Sequence, residues 1–342
     1  MDPQSAAEET EIAEIVRGFL ALQARTAATE NRPLRRATHA KGVCARAVFG
    51  VLDVAAGRNI ELATRLARGI YAKPHLYPAT VRFANSDPSV NADGKPDVRS
   101  LSITVDLASG PAAASRQLVR QDYSLQSAPT LPFNDVRAFV VYARVAAAAN
   151  EAVAVGSMPF RDRLVFARTK SAVLQQQQRQ AVRAYQHLRY WSNVPFRHGS
   201  QDIVKYSAWP AAANPAHSLE TRNPNALRDE LIRHLNEDAT MSVFDFGVQF
   251  LATENMTFQG RRRDPSFWIE NAAIEWPEAQ SPFHTVARLT LIPQSALSAD
   301  ACEAMYFDVT GHSTPDSAPV GAVNRARWHA EIASRTARQN TT

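Results

Sequence analysis

The chain is poor in cysteine: of 342 residues, only Cys44 and Cys302 carry thiols. That excludes a disulfide framework and a cysteine-rich zinc or iron–sulfur site. Both are expected to be reduced, buried small residues. The sequence also lacks any run of about 18 consecutive apolar residues, so no transmembrane helix is expected. Its first residues, Met1 to Glu9, are acidic and polar, without the basic-then-apolar order of a secretory signal. The expected compartment is therefore the cytoplasm. The formal net charge is only +5, and the basic residues are scattered. With no basic stripe and no recognisable module, nucleic acid is not an expected partner. Internal repeats and low-complexity linkers are missing too. What remains, at 45% hydrophobic residues, has ample core for one large domain or two medium ones.

Periodicity orders the chain. Ile12, Ile15, Val16, Phe19 and Leu22 recur at helical spacing and predict an amphipathic helix from Thr10 to Glu30, ended by Asn31 and Pro33. Alternation predicts strands within 45–54, from Pro78 to Ala84 and from Ser100 to Leu107. Asn59 to Ile70 reads as a short helical stretch, Val136 to Phe166 as helix-rich, and Ser171 to Tyr190 as a further helix. Its glutamine run, Gln175 to Gln178, reads as a solvated face. Further strands are expected at Ser242 to Ala252 and Thr285 to Ile292, with a basic turn at Arg261 to Arg263 and a last helix ending near Arg338. Strands joined by short loops suggest an antiparallel sheet or barrel.

The most informative stretch is Arg36-Ala37-Thr38-His39-Ala40-Lys41-Gly42. It is followed by Val81-Arg82-Phe83-Ala84 and then by Asp97-Val98-Arg99-Ser100. Together these resemble the haem-pocket segments of the catalase superfamily. Tyr190 to Gly199 and Val204 to Tyr206 resemble its minimal, single-domain members. The resemblance spans residues 30 to 338, nearly the whole chain. It implies an α+β fold, a catalase-like antiparallel β-barrel flanked by helices. Residues 1–30 would form an N-terminal helix and residues 31–342 a single domain holding haem b.

The same resemblance assigns roles and exposes departures. His39 takes the place of the distal histidine, the acid–base group; a neutral imidazole can both remove and return a proton. Gln126 falls where the catalases have an assisting asparagine. Ala84 replaces a serine that orients the histidine, and Ser100 replaces a glycine. Arg36 and Arg82 match arginines that hold the haem propionates, for which a bidentate guanidinium suits better than an ammonium. Arg327 and Arg338 reproduce the spacing around the proximal tyrosine, but position 331 is Glu331, and no tyrosine follows Tyr306. Glu331 would either ligate iron as a carboxylate or pair with Arg327 along the helix. His329, two residues away, points to the opposite helix face.

Two functions are thereby implied. One is a haem enzyme acting on a peroxide or small organic substrate, a weak catalase with peroxidase- or biosynthesis-type chemistry. The other is a haem-free protein that keeps the barrel for binding or scaffolding. The expected partner is a small molecule, with no nucleic acid and no membrane; a homo-oligomer is left open.

Overall fold

The computed structural model describes residues 4–108, 119–215 and 218–340. Helix α1 (Ala6–Thr29) starts at Ser5, whose hydroxyl accepts from the amide of Glu8, with Glu8 and Glu9 in the first turn. A capping hydroxyl and early acidic residues both favour a helix start. Strand β1 (Gly42–Val51) follows, then helix α2 (Ile60–Leu66) and strands β2 (His75–Asn85), β3 (Arg99–Asp106) and β4 (Arg120–Gln126). A helical stretch comes next: α3 (Val136–Ala147), α4 (Glu151–Ser157) and α5 (Phe160–Gln178). Strands β5 (Tyr190–Trp191), β6 (Phe196–His198) and β7 (Asp202–Pro210) lead to α6 (Ala226–Ile232) and β8 (Ser242–Phe250). A ribbon of β9 (Thr257–Phe258) and β10 (Arg261–Arg262), helix α7 (Pro265–Glu270), β11 (Phe283–Leu291), α8 (Ala299–Ala304) and α9 (Ala322–Gln339) complete the fold.

The large sheet runs β5-β4-β3-β2-β1-β11-β8-β7-β6, every pairing antiparallel, and β5 also pairs with β7. That second pairing closes eight strands into a barrel, with β6 hairpinned onto β7. Strand alternation sends one set of side chains inward. Phe49, Tyr123, Tyr206 and Phe246 meet there at ring separations of 4.9 to 5.9 Å. Phe83, Tyr185, Tyr190 and Phe244 continue the cluster. These aromatic rings take up the interior that an eight-stranded barrel could otherwise offer to one small ligand, which turns attention to the outer wall.

Outside, α1 packs against α3 so closely that a Cβ at Gly18 would lie 2.8 Å from the carbonyl oxygen of Ala143. Only glycine permits that approach, and it brings Phe19 edge-on to Phe139 at 5.5 Å.

Four expectations need correction. Cys44 and Cys302 are not separate thiols: a disulfide joins β1 to α8, with Cα atoms 5.4 Å apart. The bond is formed by tertiary closure between residues 258 positions apart, a distance over which sequence gives no pairing signal. The helix expected from Ser171 to Tyr190 begins earlier and ends at Gln178; Pro159 supplies the entry, and residues 179–184 leave the helix. The glutamine run is only half solvated. Gln176 donates to the carbonyl and hydroxyl of Thr130, while Gln175 and Gln178 face out. Arg261 and Arg262 form a strand of the small ribbon rather than a plain turn.

Lys205, on the outer face of β7, is buried. Its Nζ donates to the carbonyl of Ile274 at 3.2 Å and lies 4.9 Å from the ring centre of Trp276. Desolvation lowers its pKa to about 7 against an opposing pull from Glu275. Between about 7 and 10.5 the unfolded chain holds a proton that the folded one has shed, so this residue makes stability rise with pH across that window. Urea unfolding should therefore show Lys205→Met more stable than wild type at pH 6.5, the advantage shrinking by pH 9.5. An advantage independent of pH would contradict this account.

Candidate functional site

A cavity of about 490 Å³ lies against the outer wall of β2, β3 and β4. Ser100, Ser102, Ser124 and Gln126 supply its strand wall. They are the outward-facing partners of Leu101, Ile103, Tyr123 and Leu125, so the alternation that fills the barrel also lines the cavity. Helices α1 and α3 contribute apolar groups, among them Phe19, Leu22, Phe139 and Ala143. Helix α9 contributes Arg327, Glu331, Arg335 and Arg338, spaced three or four residues apart on one face.

His39 enters from the loop between α1 and β1. Its backbone is left-handed, φ 61°, a region costing a non-glycine residue roughly 1 kcal/mol. Neighbouring groups fix it there. The His39 amide donates to Ser86 O at 3.2 Å, and its carbonyl accepts from Arg82 Nη2 at 2.8 Å. On the ring, Nδ1 contacts the Thr38 hydroxyl at 2.9 Å, whereas Nε2 is buried without a hydrogen-bond partner among the described residues. Burial, reinforced by Arg82, Arg327 and Arg36, depresses the His39 pKa to about 3. The imidazole is therefore neutral throughout the physiological range. Ala84, opposite Gly42 and Ser100, offers it no side-chain anchor; Thr38 does.

Lys41 and Arg99, also in the motifs, are structural. Lys41 pairs with the buried Asp93 at 2.8 Å, and Arg99 donates to the carbonyls of Asp93 and Lys95. Gly42 is required for another reason. A Cβ there would lie 2.6 Å from the guanidinium carbon of Arg82, which is buried and packed across it. Desolvation brings the Arg82 pKa down to about 10, so the group stays charged. Its Nε has no hydrogen-bond partner among the described residues.

Arg36 and Arg338 share one counter-ion that the sequence did not reveal. Glu303, in α8, reaches Arg36 Nη1 with Oε2 at 3.0 Å and Arg338 Nη1 with Oε1 at 3.4 Å. Arg36 also donates to the carbonyl of Met305. Arg335, likewise unforeseen, stacks its guanidinium 4.3 Å over the ring of Tyr306. Its only advance signal was position: four residues after Glu331, on the same helix face.

Glu331 lines the cavity, and its nearest ion-pair partner, Arg327 Nη2, stands 3.9 Å away, too far for a hydrogen bond. The side chain is 42% exposed, but that surface opens into the cavity, surrounded by protein. Desolvation accordingly raises its pKa, with Asp308 and Asp122 adding to the rise and Arg327 and Arg36 opposing it. His329 is not among the cavity-lining residues; its ring packs edge-on to Trp328 at 4.8 Å, as the helix geometry required. All seven residues singled out in the sequence thus line one cavity: His39, Gln126, Arg36, Arg82, Arg327, Arg338 and Glu331.

No family model and no curated protein sequence matches this chain. Solved structures do. A fungal catalase superposes over 94% of the chain and 62% of its own, with a TM-score of 0.66 at 15% identity. The fold is that of the catalases. A bacterial catalase (TM-score 0.64, 13% identity) covers 92% of this chain and 59% of its own. For catalase A from Saccharomyces cerevisiae (0.63, 13%) the shares are 92% and 63%. This catalase-fold chain therefore spans about six tenths of the length of those enzymes. Among its described residues, no helix is long and apolar enough to cross a membrane.

The environment of His39 makes a direct prediction. In nitrogen-detected NMR of the ligand-free protein, the ring signals lost in His39→Asn should show no protonation step between pH 8 and pH 5. A midpoint near 6.5 would place the imidazole in water rather than among arginines.

Proposed function

We propose that this cavity binds haem b and that the protein is a haem enzyme acting on a peroxide or a small organic substrate. The observation that carries the reading is the unpartnered Nε2 of His39, buried in the same cavity as six arginines and the carboxyl of Glu331. The residues suit the group. The volume is that of a small-molecule site. Arg36, Arg82 and Arg338 are fitted to hold propionates by charge-assisted hydrogen bonds. No three His, Cys, Asp or Glu side chains among the described residues cluster as a metal site. An iron here would thus take most of its ligands from a bound macrocycle, with Glu331 as the protein ligand.

Haem, when bound, would supply a redox-active iron for peroxide chemistry. The chain's own groups do the rest. His39 Nε2 accepts the peroxide proton and returns it to the departing oxygen. Gln126, at the end of β4, presents an amide to hold the peroxide. Phe19, Leu22 and Phe139 keep water out of the apolar side. Two features favour slow dismutation and specialised peroxidase- or biosynthesis-type chemistry. A carboxylate donates less charge to iron than a phenolate, and axial-ligand identity is a principal lever on iron reactivity. The distal group is anchored by Thr38 alone on its ring, and a misplacement of about 1 Å can cost about 100-fold in rate.

The second reading, a haem-free binding protein, is favoured by one observation: Glu303 already pairs with both Arg36 and Arg338. The Soret band of the purified protein distinguishes the two. With haem bound, His39→Ala should retain haem but lose about 100- to 10,000-fold in peroxide turnover. Glu331→Tyr should hold haem more tightly and shift its ferric spectrum toward a phenolate-ligated form. Rapid oxygen release from hydrogen peroxide by the wild type would show that a glutamate at position 331 does not slow dismutation.

A further inference from the structure

We propose that Glu303 is a disulfide-tethered latch on a carboxylate-binding subsite formed by Arg36 and Arg338. The inference rests on the reading above only in taking the cavity ligand to be an anion bearing carboxylates. Glu303 spans the two guanidiniums with one oxygen on each, as a ligand carboxylate would. It is not on α9 or in the motif segment; it is brought in from α8. That helix has six residues, and its strongest tie to the barrel is the bond from Cys302, the residue before Glu303, to Cys44 of β1. The amide of Leu297 donates to Cys44 O at 3.1 Å, holding the approach to α8 on the same strand. Cys44 lies directly opposite Arg82 in the β1–β2 register, so the tether is anchored beside the third arginine of the cavity.

The charge balance explains the need for a latch. Six arginines line the cavity against three carboxyl groups: Asp87, Asp308 and Glu331. Asp308 is occupied by the indole of Trp328 and by the amide of Gly311. Without Glu303, Arg36, Arg82 and Arg338 would face one another across a poorly hydrated space. In the latched state an internal carboxylate compensates them and competes with any ligand carboxylate for the same donors. Reduction would release it. A dithiol gives two electrons and two protons to the Cys44–Cys302 bond, becomes a disulfide itself, and leaves two cysteine thiols. Cys44 and Cys302 are both buried, so a dithiol reaches the bond only as α8 moves off β1. Helix α8 would then keep only its noncovalent ties, and Glu303 could give way to the ligand.

The test is binding, measured on the full chain by fluorescence titration with metal-free protoporphyrin, which carries two carboxylates, and with its dimethyl ester. Oxidised wild type, dithiol-reduced wild type, Cys302→Ser and Glu303→Gln are compared. The last three should bind the dicarboxylate about tenfold more tightly than the first, the scale of one charge-assisted contact. Their affinity for the ester should not change. Equal affinity of oxidised wild type and Glu303→Gln, an equal gain for the ester, or no binding by any form would overturn the latch. Because Glu303→Gln leaves the disulfide intact, the test stands even where Cys302→Ser fails to fold. Ferric haem is titrated in parallel. A gain for the metal-free ring with no Soret shift for ferric haem would reject the haem reading and keep the latch.

Discussion

Closing eight antiparallel strands on a ring of aromatic side chains leaves no room inside the barrel. Everything else in the structure depends on that constraint. Because Phe49, Tyr123, Tyr206 and Phe246 fill the interior, the outward-facing half of each strand is what remains for recognition. On β3 and β4 that half is Ser100, Ser102, Ser124 and Gln126, small polar groups with space above them. Helices α1, α3 and α9 roof the space, and the glycine at position 18 sets how closely the roof is drawn together.

The second organising feature is concentrated positive charge. The chain as a whole is only mildly basic, yet six arginines line one cavity. Burial lowers the basicity of His39 and Arg36, and the neighbouring guanidiniums lower it further. Such a site is tuned by whatever anion it contains. Glu303 supports the charge of Arg36, Arg82 and Arg338, and an anionic ligand beside the guanidiniums would raise the basicity of the imidazole. Binding and acid–base strength are thus parts of a single electrostatic balance.

Much of this was legible in the sequence, and the parts that were not share a cause. Alternation marked β1, β2 and β3, helical spacing marked α1, and the family resemblance supplied the α+β barrel that contains them. The heptapeptide at 36–42 singled out His39 through its family resemblance, and the loop between α1 and β1 brings that residue to the cavity. The spacing of Arg327, Glu331 and Arg338 held because an α-helix converts spacing into a common face. The disulfide, the Glu303 bridge and the contacts of Gln176 arise where segments far apart in the chain meet, so no window of sequence contains both partners. Strand β4 was missed for a different reason. Only Tyr123 and Leu125 of its seven residues are large and apolar, too short an alternation to stand out beside its polar face.

The pairing of β1 with β11 has a consequence for how the chain is made. Ala47 sits opposite Leu291 and Val51 opposite Ala287, so the first strand of the barrel is completed by the last. The far edge of β1 has no native partner until some 240 further residues have been synthesised, roughly 10 to 50 s at common translation rates. During that interval β1 and β2 form a sheet with one open edge, the kind of surface that recruits strands from other chains. Contacts of such long sequence separation also slow folding after release. The nascent chain is therefore the form of this protein most exposed to aggregation and most in need of a chaperone.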